Sequence, residues 1–125
     1  MNIPTDLKYT QDHEWLRQAD DLLVVGLTDF AQSELGDIIF VEFPDIGDTF
    51  DQGATFGTVE AVKTVADLFM PVTGEVVEVN QSLDDDPEQV NADAYNAGWL
   101  IKIRPGDPAQ LDALMDAQAY KDHIS

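Results

Sequence analysis

The chain has no cysteine and only two histidines, His13 and His123. Disulfides, thiol catalysis and cysteine-ligated zinc are thereby excluded, as is a histidine-rich metal site. Bases are scarce too: six Lys and Arg stand against 25 Asp and Glu, a formal charge of −19 at pH 7. Such a chain cannot neutralise a row of phosphates or settle on an anionic lipid face, so neither nucleic acid nor membrane is expected as a partner. Long apolar runs are also missing. The longest, at residues 22–25 and 38–41, are far too short to cross a bilayer. Residues 1–6 form neither a basic-then-apolar leader nor an Arg-rich transit pattern, and a cytoplasmic location is expected.

What is present is a folding composition. The 125 residues are 44% hydrophobic and include eleven aromatic side chains, too many for a disordered chain. The length predicts a single domain, 1–125. Branched and aromatic residues cluster in short runs that read as strands, at 22–27, 38–43, 54–62, 65–70, 75–79 and 99–103. In the second run Ile39, Val41 and Phe43 alternate onto one face, but Ile38 and Phe40 make the other face apolar too. Turn residues separate the runs, at 44–47, 51–53, 71–74 and 80–82. Regularly spaced short strands imply a sandwich or a flattened barrel.

Two helices interrupt this pattern. Thr28 is a cap for a short one ending at Gly36. Asp107-Pro108-Ala109-Gln110 opens a second, which carries Leu111, Leu114 and Met115 as one apolar stripe and runs to about Tyr120. Asp84-Asp85-Asp86-Pro87 reads as a solvated acidic loop. A weak repeat, Phe43-Pro44-x-x-Gly47-Asp48 and Met70-Pro71-x-x-Gly74-Glu75, is what chance would produce, and equally what a duplicated strand–turn–strand unit with residues 54–70 between its copies would produce.

Lys63 stands out. It is the only Lys or Arg between Arg17 and Lys102, a stretch holding eighteen Asp and Glu. Its flanks are strand-like, leaving room only for a tight turn with Lys63 at its tip. No glycine or asparagine is present there, so a type I turn is expected over a primed one. One reading is a surface lysine balancing Glu60 and Asp67, worth ~0–1 kcal/mol. A second is an amine that another enzyme acylates, fixing a long arm to a rigid point. A Schiff-base lysine would need a desolvating pocket, and the surrounding carboxylates act in the opposite direction.

Around that lysine the sequence resembles the H-protein family of the glycine cleavage system, a family of lipoyl carriers. The matching stretches begin with Lys8-Tyr9, His13-Glu14-Trp15, Gly26 to Ala31, Leu35-Gly36-Asp37 and Phe40-Val41-Glu42. They continue through Val59-Glu60-Ala61-Val62-Lys63, Pro71 to Val76, Val79-Asn80, Val90-Asn91, Tyr95 and Gly98 to Ile103. In order and spacing they cover nearly the whole chain. The family usually has Ser where this chain has Ala61, and Ala where it has Thr64.

The resemblance implies a mainly β fold, a flattened β-barrel of the lipoyl/biotinyl type built as a sandwich of two antiparallel sheets. It would have a lipoyl hairpin at about 54–70, a short helix near 29–35 and a C-terminal helix near 108–120. It implies lipoate in amide linkage on Lys63, flanked by Glu60, Val62, Thr64 and Asp67, on a carrier that is not itself an enzyme. Implied partners are a pyridoxal-phosphate glycine decarboxylase, a tetrahydrofolate-dependent aminomethyltransferase, dihydrolipoamide dehydrogenase and a lipoate attachment enzyme. Between these the carrier would move an aminomethyl group and electrons, keeping the reactive group at high effective concentration.

The cargo is cationic and labile in water, so a carboxylate-lined groove on the carrier is expected. Glu14 is the first candidate, with Trp15 as an apolar wall, and His13 and Glu34 are others. His13 reads more simply as a structural hydrogen-bonder, and Glu14 as a strand edge. The competing functions are biotin carriage, for which Val62-Lys63-Thr64 is the wrong context, a lipoate relay that donates lipoyl groups to other enzymes, and an unmodified acidic β binding module.

Overall fold

The computed structural model describes residues 2–125. Nine strands form two antiparallel sheets. They are β1 (Lys8–Tyr9), β2 (Glu14–Ala19), β3 (Leu22–Leu27), β4 (Ile38–Glu42), β5 (Thr49–Phe50), β6 (Thr55–Ala61), β7 (Val65–Phe69), β8 (Gly74–Val79) and β9 (Ile101–Pro105). The larger sheet has the order β1-β2-β3-β9-β8-β5, the smaller β4-β6-β7. The sheets pack face to face as a flattened sandwich without closing into a barrel. Four helices decorate it: α1 (Asp29–Leu35), α2 (Ser82–Asp85), α3 (Gln89–Ala92) and α4 (Ala117–Ile124). None is long and apolar enough to cross a membrane.

Strand β3 is buried along nearly its whole length because both of its faces are covered. Leu23, Val25 and Leu27 point into the main core between the sheets, with Val41, Phe56, Val59, Leu68 and Ile103. Val24 points the other way, into a second cluster of Leu7, Tyr9, Trp15, Ala117 and Tyr120. Trp15 is fully buried there and its indole N–H donates to the Ala94 carbonyl at 3.0 Å. Burying such a side chain contributes about 1.5–3 kcal/mol, enough to fix α4 and the N-terminal strands on the outer face of the sheet.

The structure revises four local expectations. Residues 108–120 are not one helix. A 3₁₀ turn at Pro108–Ala113 ends at Leu114, which is extended, and α4 starts afresh with the Asp116 side chain accepting from the Ala119 N–H. The break arises because Tyr9 and Met115 exchange backbone hydrogen bonds of 2.8 and 2.9 Å, which no helical Met115 can make. Leu111 and Leu114 pack on the main core and Met115 on the second cluster, so they form no common stripe.

In β4 the expected Ile39–Val41–Phe43 face does not form. The register shifts between Ile38 and Phe40, turning Ile38 and Val41 inward and both Ile39 and Phe40 outward. Asp84 and Asp85 of the acidic segment belong to helix α2, which buried Leu83 anchors while their carboxylates face water. Strand β2 lies outside the runs read as strands from the sequence, yet it pairs fully with β3 through a two-residue turn in which Asp20 has φ +59°. The two halves of the Pro-x-x-Gly repeat lie antiparallel, with Thr49 opposite Glu75 and Phe50 opposite Gly74.

Candidate functional site

Strands β6 and β7 pair from Thr55–Phe69 to Glu60–Val65, and the Ala61 N–H donates to the Thr64 carbonyl at 2.7 Å to close the turn. Val62 and Lys63 are its two central residues, and neither has positive φ, which rules out a primed turn. A second tie stiffens the tip: the Val62 N–H donates to the Asp37 carbonyl at 3.1 Å.

The Asn91 side chain holds the residues on either side of Asp37. That side chain donates to the Gly36 carbonyl (2.8 Å) and to Gln32 Oε1 (3.0 Å) and accepts from the Ile38 N–H (2.8 Å). Sheet, turn and α1 thus converge on one rigid platform beneath the lysine.

Lys63 is exposed. Among the described residues the only ion pairs are Lys102–Glu78 and Arg104–Glu75, so Lys63 does not balance Glu60 or Asp67. Its side chain passes over Gly36, the residue that ends α1 with φ +82°. A Cβ at Gly36 would stand 3.2 Å from Lys63 Cε, and only glycine combines that backbone with that approach.

From this end of α1 a groove of ≈ 380 Å³ runs between the helix and β7. Its apolar walls are Phe30, Leu35, Ala66 and Leu68, and its polar groups are Asp12, His13, Glu34 and Asp67. Gly36 and Lys63 lie at the C-terminal end of α1. His13, whose ring centroid is 4.8 Å from that of Phe30, lies at the other. Seven helical residues separate these ends, about 10 Å at 1.5 Å per residue.

His13 closes the far end with φ +68°. Its orientation follows from a buried relay. Thr28 Oγ1 accepts from the Ala31 N–H as the cap of α1 and shares a hydrogen bond of 2.8 Å with the Tyr120 hydroxyl. The same hydroxyl is hydrogen-bonded to His13 Nδ1 at 2.9 Å, which fixes the plane of the imidazole. Burial, and next the nearby His123, lowers the His13 pKa and favours the neutral ring.

Glu14 is not among the residues lining the groove; it lies behind the wall, 2% exposed. Oε2 accepts from the Phe69 N–H at 2.9 Å and Oε1 from the Thr10 hydroxyl at 3.3 Å. Burial pushes its pKa up to about 8 against these hydrogen bonds, leaving the carboxyl largely protonated at neutral pH. It fastens the outer edge of β7 to the N-terminal loop. Of the residues singled out from sequence, the structure therefore gathers His13, Glu34 and Asp67 around the groove, with Lys63 at its mouth. Glu60, Val62 and Thr64 are exposed beside that lysine.

A family model for the glycine cleavage H-protein matches residues 7–125. The chain belongs to that family. It is 59% identical over 126 residues to a glycine cleavage system H protein of Chlorobium limicola, covering 99% of this chain and 98% of the relative. It is 53% identical over 121 residues to one of Bacteroides thetaiotaomicron, covering 97% and 96%. A crystal structure of a glycine cleavage system H protein from Mycobacterium marinum superposes with a TM-score of 0.90 at 40% identity, covering 98% of both chains.

Within this H-protein fold, sequence reasoning missed Asp12, Phe30 and Tyr120 at the groove. Asp12 and Phe30 were discoverable as neighbours of His13 and Thr28 in sequence. Tyr120 was not, since 107 positions separate it from the imidazole it holds.

Proposed function

We propose that Lys63 carries lipoate in amide linkage, and that the chain serves in the cytoplasm as a non-catalytic shuttle between the enzymes of glycine cleavage. The observation that carries this reading is an exposed, unpaired amine on a rigid tip, at the mouth of a groove lined by Asp12, Glu34 and Asp67. Membership of the H-protein family supports the same role. When attached, the lipoyl group supplies a dithiolane that takes up an aminomethyl group and electrons.

The residues present fit that group. The apolar walls of the groove match a hydrocarbon arm, and no side chain at Gly36 bars its path. Asp12, Glu34 and Asp67 face a cationic cargo with three carboxylates and favour its charged form. Phe30, Leu35 and Leu68 exclude water from one side of it. Glu14 acts indirectly, holding Phe69 and hence the β7 wall in place.

Implied partners are a pyridoxal-phosphate glycine decarboxylase, a tetrahydrofolate-dependent aminomethyltransferase, dihydrolipoamide dehydrogenase and an attachment enzyme. Intact-mass measurement of protein from its own cells, with mapping of the modified residue, tests the reading. The expected result is one lipoyl group on Lys63, lost in Lys63→Arg together with transfer from the decarboxylase. An unmodified chain, or a lipoyl group on another lysine, would overturn it.

A further inference from the structure

Among the described residues five large apolar side chains are exposed, and four of them flank the tip of the β6–β7 hairpin. They are Ile39 (54%), Phe40 (46%), Val62 (72%) and Val65 (62%). The fifth, Ile46, belongs to the turn between β4 and β5.

The four form one patch for structural reasons. Phe40 is opposite Glu60, which is opposite Val65, so these three side chains share the outer face of the smaller sheet. The register shift in β4 brings Ile39 out as well. The Val62–Asp37 hydrogen bond holds Val62 beside the start of β4. A regular β4 would turn Ile39 inward beside Val41, whereas the bulge presents it to solvent next to Phe40. Exposed carboxylates surround it, at Asp37, Glu42 and Glu60, and none of them is in an ion pair.

We infer that Ile39, Phe40, Val62 and Val65 are the footprint of the enzyme that acylates Lys63, which meets them with an apolar depression ringed by lysine and arginine. This rests on the reading of Lys63 given above. The ring of cations follows from the unpaired carboxylates around the patch.

The attachment enzyme, rather than a later partner, is the occupant because of where its chemistry occurs. It must bring an acyl group, activated as a phosphate mixed anhydride or a thioester, to Nζ itself. The amine lone pair forms the C–N bond as the bond from the acyl carbon to the phosphate or thiol breaks, and the nitrogen proton passes to the enzyme. That geometry requires contact with the residues that frame the lysine. An enzyme working at the distal end of a long arm has no such requirement.

The experiment uses the full chain in its unmodified form and the purified attachment enzyme with its acyl donor. Ile39→Thr and Phe40→Thr keep a strand-favouring residue at exposed positions, and their melts report folding. The expected result is a KM for the carrier raised tenfold or more with kcat within twofold, while Ile46→Thr matches the unsubstituted chain. Added salt should raise the KM of the unsubstituted chain. After exhaustive acylation the same variants should retain their KM with glycine decarboxylase.

Unchanged KM in folded variants would refute the footprint. Equal losses with the decarboxylase would show a face common to all partners and refute the assignment, as would loss of a chain–chain association detected by sedimentation. Acylation of Lys63 with any of these results would leave the functional reading standing. Absence of acylation on Lys63 of the unsubstituted chain would end both.

Discussion

Replacing Glu14 by Gln should stabilise the protein at neutral pH and remove part of its pH dependence. The carboxyl titrates near 4.5 in the unfolded chain and at about 8 in the folded one, because burial disfavours its ionised form. Between these values the folded state holds a proton that the unfolded state has released. Stability contributed by this group is therefore fully present below pH 4.5 and declines as pH rises, by about 1.4 kcal/mol per pH unit, until the folded form also ionises near pH 8. Glutamine is neutral throughout; its Oε1 can accept from the Phe69 N–H and its amide can donate to Thr10 Oγ1.

Urea unfolding of both proteins at pH 5.5 and 7.5 isolates the effect, because every other titrating group is shared. The variant should gain about 2–3 kcal/mol on the unsubstituted chain across that interval. A difference that stays flat between the two pH values would refute the reasoning. It would mean that the carboxyl is ionised in both states, as an open groove-lining carboxylate would be.

Other outcomes follow from the same structure. Asn91→Ala strips two hydrogen bonds from the Gly36–Ile38 turn and one from Gln32 of α1, and should cost ~2–3 kcal/mol in urea melts. Gly57→Ala places a methyl group against the Glu42 carbonyl oxygen of the neighbouring strand, and should lower thermal stability by ~3 kcal/mol or more. His13 should titrate below 6.5 in an NMR pH series, and its share of stability should be lost as pH falls from 6.5 toward that lower value. Tyr120→Phe leaves the buried Thr28 hydroxyl and His13 Nδ1 without their partner and should cost about 1–3 kcal/mol, read by chemical unfolding.

Much of the fold was legible because the strands that build the core are rich in branched residues and bounded by Gly, Pro and Asp. Lys63 was legible because its charge is isolated and its flanks permit only a hairpin. Local sequence could not reveal the break at Leu114–Asp116, since Asp107-Pro108 and the spacing of Leu111, Leu114 and Met115 favour a continuous helix. That preference yields to a backbone pairing with Tyr9, more than a hundred residues away. The bulge in β4 was hidden for a related reason. Ile38 to Val41 are all apolar, so their composition alone does not say which two face inward. The groove was half legible: Glu34 and Asp67 were found as carboxylates near a cation, but their convergence with Asp12 depends on how α1 lies against β7.

The two ends of the groove differ in the chain separation needed to make them. The mouth is a hairpin, whose partners are neighbours in sequence and whose loop closes at little entropic cost. The far end requires residues 9–13 to find residues 115–123 across most of the polypeptide. Such distant closures come late in folding. A newly made chain consequently displays its lysine before it has a shelter to offer, and modification can precede completion of the refuge that the modified arm will use.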